Sequence, residues 1–162
     1  PLRSRSDVEA LWTGLRNGTI DVVSSDHCPY TSEEKNLGWI DIFDAPPGMP
    51  GLDTSIPLML SQVNKNRISL CKLVEVYSEN PAKILGIYPK KGSLLPGSDA
   101  DITVVDLAKE AVIKGDNLYT KSKMTMFENY KIKGIPIATF VRGNLVMQDH
   151  EIVGKPGNGK FV

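Results

Sequence analysis

The sequence has few histidines and cysteines and no excess of charge of either sign. Its 162 residues include two histidines and two cysteines, and 19 Lys plus Arg balance 19 Asp plus Glu, for a formal net charge of zero. Proteins that bind nucleic acid or an anionic membrane surface normally carry a basic excess. The charge balance therefore predicts that neither a nucleic acid nor a membrane is a partner.

Long apolar runs and several common functional motifs are also missing. No stretch approaches the roughly 18 apolar residues that span a bilayer, and residues 1–7 lack the apolar core of a secretory signal. There is no Walker loop, no dinucleotide-binding fingerprint and no nucleophile elbow. Cys28 and Cys71 show no disulfide-framework spacing, which predicts reduced, buried thiols in a cytoplasmic protein.

The first half of the sequence has the periodicity of helices and one buried strand. Ser6 as N-cap, with Glu9 three residues later, predicts a helix that ends at Asn17-Gly18. The β-branched run 19–25 predicts a strand covered on both sides, as in a parallel sheet. Residues 31–51 form a long Pro- and Gly-rich loop, and loops of this length are usually functional or disordered. Three further helices are predicted, over residues 52–65, 69–78 and 80–86.

After about residue 88 the pattern changes from helical to β. Residues 102–106 predict a strand, and two further strands flank Arg142-Gly143 as a hairpin with a tight turn. Residues 107–134 are less regular. The acidic pair in Asp99-Ala100-Asp101 is interpreted as turn capping, because its spacing does not fit an EF-hand cation loop.

Asp26 is the sharpest candidate for chemistry. It lies in Ser25-Asp26-His27-Cys28-Pro29-Tyr30, directly after the predicted strand, where α/β barrels hold their catalytic groups. A carboxylate in that position can ligate a metal ion and accept a proton from water. The alternative from the residues alone is that Asp26 caps a turn and His27 packs locally. His150, beside Asp149 and Glu151, is interpreted as part of a solvated turn.

The chain resembles the C-terminal part of the cyclic amidohydrolases, the family of hydantoinases, dihydropyrimidinases, dihydroorotases and allantoinases. The start at Pro1 without an initiator Met agrees with a fragment or a processed product. Matching blocks follow the family's order over essentially the whole chain, at residues 1–3, 21–30, 48–53, 80–86, 91–106 and 153–161.

The resemblance implies an α/β fold, the C-terminal end of a (β/α)8 (TIM) barrel followed by part of a small β-sandwich. Residues 1–88 would supply the last βα units of the barrel, and residues 89–162 the sandwich portion and tail. It also implies a cytoplasmic homo-oligomer with two divalent metal ions, usually zinc, bridged by a carboxylated lysine. The substrate it implies is a small cyclic amide or ureide, opened by metal-dependent hydrolysis.

The resemblance assigns roles to four residues. Asp26 matches the aspartate of the eighth barrel strand, which ligates one metal and carries a proton from water to the leaving nitrogen. Pro47, Gly48 and Met49 match a segment that presents backbone groups to the ring amide of the substrate. The family's His-x-His pair, bridging lysine and two middle histidines have no counterpart here. We therefore expect the chain to need the remainder of the barrel and to be inactive alone.

Two positions point to different branches of the family. Tyr30 occupies a position where dihydroorotases typically carry a histidine, which favours a hydantoinase-like pocket. Pro47 stands where hydantoinases usually have Asn, which favours dihydroorotases and allantoinases, and proline offers no N–H donor. Two non-enzymatic alternatives also stay open: an assembly protein of the dihydropyrimidinase-related type and a self-standing binding domain.

Overall fold

The computed structural model describes residues 3–162, in which helices and short helical turns precede an antiparallel sheet. Pro1 and Leu2, with which the resemblance begins, lie outside the described residues. The helices are α1 (Arg5–Asn17), α2 (Ser32–Asn36), α3 (Leu52–Asn64), α4 (Leu70–Val74) and α5 (Asn80–Ile84). The strands are β1 (Ile102–Val112), β2 (Lys131–Val141), β3 (Asn144–Gln148) and β4 (Glu151–Ile152), paired antiparallel in the order β1-β2-β3-β4.

The first helix begins two residues earlier than predicted. Its N-cap is Ser4, whose hydroxyl accepts from the Asp7 N–H (3.2 Å), while the Asp7 carboxylate accepts from the Ser4 N–H (3.1 Å). The predicted box of Ser6 and Glu9 is therefore wrong. Two overlapping Ser-x-x-acid frames exist in the sequence, and the earlier one adds residues to the helix while still satisfying its first N–H groups. The end at Asn17, with Gly18 in the left-handed region, is confirmed.

Residues 19–25 do not form the predicted strand. The segment has no regular secondary structure, and two of its N–H groups bond to partners outside any sheet: Ile20 to the Gly14 carbonyl and Val23 to the Val76 carbonyl, both at 3.0 Å. Val22 and Val23 are half-buried rather than covered on both faces. A strand needs a laterally paired neighbour, and no other strand of the described chain lies alongside this segment.

The later helices agree with their predicted positions except at one join. Helix α3 spans nearly the predicted range, and Ser69 caps α4 by accepting from the Lys72 N–H (3.1 Å). The predicted helix 69–78 instead passes into a π-helical turn, Glu75–Glu79, which leads into α5. Pro81 follows in the first turn of α5 and has no N–H to complete the regular hydrogen-bond ladder, which accounts for the wider turn.

The predicted hairpin is confirmed, and the sheet is more extensive than predicted. Arg142 and Gly143 form the turn with φ values of 47° and 77°. Strand β1 continues to Val112, although residues 107–134 gave no clear strand pattern. The register shifts between Asp106 and Glu110, where the Asp106 carboxylate accepts from backbone N–H groups of its own strand. Such irregularities break the alternation from which a strand is predicted.

Helix α3 connects the helical half to the sheet. Its Met59 and Val63 pack on a core formed by Leu15, Ile68 and Val76, whereas Leu58 packs on a second core formed by sheet and loop isoleucines. The hydroxyl group of Ser61, in α3, accepts from the Lys133 N–H of β2 (2.8 Å). Only Pro50 and Gly51 separate the 47–49 loop from α3. The attachment of α3 to β2 therefore also fixes where that loop ends.

The interpretation of the acidic pair near residue 100 as turn capping holds for Asp101, which caps the hairpin turn at Arg142. Asp101 accepts from the Arg142 N–H (2.8 Å) and pairs with Lys91, whose ammonium also lies 2.9 Å from Asp99. These hydrogen bonds raise the Lys91 pKa above 10.5. Burial acts to raise the Asp101 pKa, but the Lys91 and Arg142 hydrogen bonds outweigh it and hold that pKa below 3.8.

These shifts predict a stability contribution from Asp101 that disappears in acid. A carboxyl group whose pKa is depressed by folding stabilises the fold above its unfolded pKa, and the stabilisation is lost as the pH falls through the folded pKa. We expect Asp101→Asn to lower the urea unfolding midpoint at about pH 7, and we expect the difference from wild type to shrink as the pH falls below 3.8. A difference that persists undiminished in acid would contradict this assignment.

Two further sequence predictions concern the cysteines and membrane spans. Both cysteines are free, Cys28 is half-buried, and Cys71 is exposed on α4, so the prediction of a buried thiol is wrong for Cys71. Apolar positions at helical spacing flank Cys71, but only one face of such a helix is covered. No helix within residues 3–162 has the length and apolar character needed to cross a bilayer.

Candidate functional site

Asp26 directly follows segment 19–25 and has an unusual backbone conformation. Its φ is +43°, in the left-handed region, and its side chain is exposed. Aspartate tolerates this region better than most residues, yet the conformation still costs energy and is common at functional sites. The exposed carboxylate is thus available to a ligand or to another part of a larger protein.

The loop predicted to bind substrate lies against the residues that follow Asp26. His27 and Met49 form an isolated parallel bridge, in which the Cys28 N–H donates to the Met49 carbonyl at 3.0 Å. Pro47 and Met49 are exposed, whereas Pro50 is buried and anchors the end of the loop. The structure therefore brings together two segments that the sequence separates by about twenty residues, with Asp26 immediately before the bridge.

The imidazole of His27 joins the same two segments. Its Nδ1 accepts from the Gly51 N–H (3.1 Å) and the Leu52 N–H (3.0 Å) at the start of α3. An imidazole nitrogen accepts a hydrogen bond through its lone pair, so Nδ1 acts as an acceptor in this contact. This contact agrees with the interpretation that His27 packs locally, and it occupies Nδ1, one of the two nitrogens that a metal could use.

Two glycines allow the loop to approach this closely. At Gly48, where φ is +117°, a Cβ would lie 2.4 Å from the Cys28 Cβ. At Gly51, a Cβ would lie 3.0 Å from the Ser25 carbonyl oxygen. Sequence reasoning missed both the bridge and the His27 contact. Gly48 and Gly51 were the available signal, since glycine in such a loop often marks a close backbone approach.

The other end of the loop is held by Lys35, which lies in the last turn of α2. Its ammonium donates to the Pro46 carbonyl (2.8 Å) and lies 5.6 Å from the centre of the Tyr30 ring. Tyr30, the position that distinguishes branches of the resembled family, therefore lies beside the loop entrance. A cation–π contact and a hydrogen bond from one ammonium give this end of the loop a defined position.

The described residues supply too few neighbouring ligands for a metal site of their own. Across the described part, residues 3–162, no group of three or more His, Cys, Asp or Glu side chains is placed to hold a metal ion. Asp26 fits as a single oxygen ligand, because it is exposed and carries the donor type that divalent metals accept. His150 lies in the exposed turn between β3 and β4, as interpreted from the sequence.

Comparison with known proteins gives matches over essentially the whole chain. The amidohydrolase family matches residues 2–146. The chain is 42% identical over 163 aligned residues to L-hydantoinase of Paenarthrobacter aurescens and 43% identical over 162 to dihydroorotase of Pyrococcus furiosus. Each alignment covers 100% of this chain but 36% of the relative, so the chain spans about a third of the length of these relatives.

Solved structures agree closely with the fold. A structure of D-hydantoinase superposes with a TM-score of 0.96 at 37% identity, over 100% of this chain and 36% of that chain. L-hydantoinase (dihydropyrimidinase) from Arthrobacter aurescens superposes with a TM-score of 0.90 at 42% identity, over 99% and 36%. These TM-scores show that the fold described above is shared by about a third of each longer protein.

Proposed function

Since the chain belongs to the amidohydrolase family, we propose that it is the C-terminal part of an enzyme that hydrolyses a cyclic amide with bound metal ions. The observation that carries the proposal is the juxtaposition of Asp26 with the 47–49 loop through the His27–Met49 bridge. An exposed carboxylate beside a loop with an exposed edge is what a hydrolase needs to handle a proton next to its substrate.

In this proposal Asp26 performs two tasks. Its carboxylate contributes one ligand to a pair of divalent ions, zinc in our proposal, and the other ligands come from the remainder of the barrel. Ions bound there would lower the pKa of water and polarise the amide carbonyl. Asp26 accepts the proton of the attacking water and delivers it to the ring nitrogen as the C–N bond breaks and the C–O bond forms.

The 47–49 loop binds the substrate ring. Gly48 is half-exposed and Met49 is exposed. Because the Met49 carbonyl already accepts from the Cys28 N–H, the Gly48 backbone groups and the Met49 N–H are the ones proposed to meet the polar edge of a small ring. Pro47 has a carbonyl but no N–H, so it can only accept hydrogen bonds. A cyclic amide presents both N–H and C=O groups in a plane, which suits recognition by main-chain atoms held at fixed positions.

The substrate we propose is a hydantoin- or dihydropyrimidine-like ring, and Tyr30 beside the loop supports it. The specific alternative is dihydroorotase or allantoinase activity, supported by Pro47 and by the 43% identity to a dihydroorotase. Assembly without catalysis, as in dihydropyrimidinase-related proteins, is the second alternative. We further propose that residues 1–88 complete a (β/α)8 barrel, that residues 89–162 belong to a β-sandwich, and that the intact protein forms homo-oligomers in the cytoplasm.

The purified chain is expected to show no zinc-dependent hydrolysis of dihydrouracil, hydantoin, dihydroorotate or allantoin, because Asp26 is the single ligand it contributes. The longer protein that contains it is expected to turn over at least one of the four. Ring opening is measured by loss of substrate absorbance with added zinc and with a chelator as control. Turnover by the chain alone would contradict the division of ligands, whereas a metal-loaded but inactive longer protein would favour the assembly alternative.

A further inference from the structure

We propose that His27 is a positioning residue, whose Nδ1 holds the start of α3 and thereby fixes the 47–49 loop beside Asp26. The inference rests on the proposed function, since it assigns the side chain that places the substrate-binding loop. It does not make His27 a metal ligand or a proton carrier. Its task is to set the distance between the carboxylate and the loop.

The geometry leaves this task to His27. Gly51, the N-cap of α3, has no side chain, so it cannot satisfy the first N–H groups of the helix as a Ser or Asp cap would. The His27 ring accepts from the N–H groups of Gly51 and Leu52, at 3.1 Å and 3.0 Å. These are the N–H groups of the N-cap and of the first helical residue, so His27 satisfies unpaired N–H groups at the start of α3 from 24 residues earlier in the chain.

The loop is fixed at two points by adjacent residues. The Cys28 N–H holds the Met49 carbonyl, and the His27 ring holds Gly51 two residues further along. Between them lies Pro50, which is buried and has a restricted backbone. The loop cannot shift relative to Asp26 without breaking one of these contacts. Because Asp26 directly precedes His27, one short segment carries the carboxylate and both anchors of the loop.

Three substitutions at His27 separate the effect of the hydrogen-bond acceptor's position from the effect of side-chain size. Asn places its Oδ1 on the same carbon that carries Nδ1 in histidine, so His27→Asn retains an acceptor at that position. Gln places its acceptor one bond further along, and Ala removes it. In the longer active enzyme, we expect His27→Ala and His27→Gln to raise KM about tenfold, as loss of ground-state binding does, with kcat within about threefold. His27→Asn should stay within about threefold of wild type in both.

Amide hydrogen exchange detects the same contact and does not depend on enzyme activity. In His27→Ala and His27→Gln, the Gly51 and Leu52 amides should exchange about tenfold faster or more, and His27→Asn should restore protection. The exchange of the Leu73 amide in α4 reports whether the fold as a whole has changed. If Ala, Gln and Asn variants have the same KM and the same exchange, the proposal is wrong. If the enzyme hydrolyses no cyclic amide but the exchange pattern holds, the contact stands and the proposed function fails.

Discussion

Asp26→Asn in the longer enzyme is expected to reduce turnover by about 10³-fold or more while leaving the fold intact. Removal of a general acid–base group alone typically costs 10²–10⁴-fold, and the substitution also removes the negative charge proposed to hold a metal. Asn has the same shape and adopts positive φ at least as readily as Asp, so the backbone at φ +43° is not further strained. Because the Asp26 side chain is exposed, the melting temperature should change little.

Asp21, in segment 19–25, provides a matched control. Asp21 is also exposed, and Asp21→Asn makes the same chemical change five residues before the candidate site. We expect near-wild-type turnover for this control. Steady-state kinetics at saturating substrate, together with metal content by mass spectrometry, separate loss of metal from loss of proton transfer. If Asp26→Asn kept a near-normal rate, the proton-transfer role proposed for this carboxylate would have to be withdrawn.

Gly48→Ala is expected to be the most damaging single change in the loop. The added Cβ would lie 2.4 Å from the Cys28 Cβ, and the backbone there has φ +117°, where side chains are strained. Steric overlap in a packed contact and a left-handed backbone each cost on the order of 1–3 kcal/mol. We expect a lower urea midpoint for the chain and a raised KM for the longer enzyme, because the overlap pushes the loop away from Asp26.

Two further variants separate backbone strain from steric overlap as causes of the loss. Gly97 has φ +94° but open space around it, so Gly97→Ala measures backbone strain without overlap. Cys28→Gly removes the atom that the new Cβ would meet, so Gly48→Ala combined with Cys28→Gly should recover part of the loss. A double-mutant cycle with no coupling between positions 48 and 28 would show that the overlap is not the cause.

Local interactions account for the elements that were predictable. The end of α1 at Gly18, the Ser69 cap of α4 and the Arg142-Gly143 hairpin turn each depend on a few neighbouring residues. Their type and position are set within one turn of chain, so a pattern of residue types is sufficient. The hairpin turn is stabilised in addition by a distant residue, Asp101, which accepts from the Arg142 N–H. The displaced cap at Ser4 shows the limit of that rule: where two local frames compete, the choice depends on a small difference between them.

The sequence and its family resemblance predicted Asp26 and the 47–49 loop as candidate site residues. The sequence did not predict that the two lie next to each other. The bridge from His27 to Met49 and the Nδ1 contact to Gly51 join residues more than twenty positions apart. No periodicity encodes such a pairing, because it depends on where helix packing places both segments. The same reason explains the failed strand at 19–25, whose apolar pattern is compatible with a strand but cannot provide the neighbour that a strand requires.

The sequence by itself determined the approximate positions of α1, α3, α4 and α5, where the hairpin turns, and that one acid and one Gly-rich loop are the candidates for chemistry. It did not reveal α2, which lies in a segment predicted to be a loop. Only the tertiary structure decided that α3 is attached to β2 through Ser61 and that His27, rather than a residue of the loop, holds the start of α3. The physical reason is range: propensities and caps act between neighbours in the chain, whereas a hydrogen bond across the fold exists only after packing has brought its two partners together.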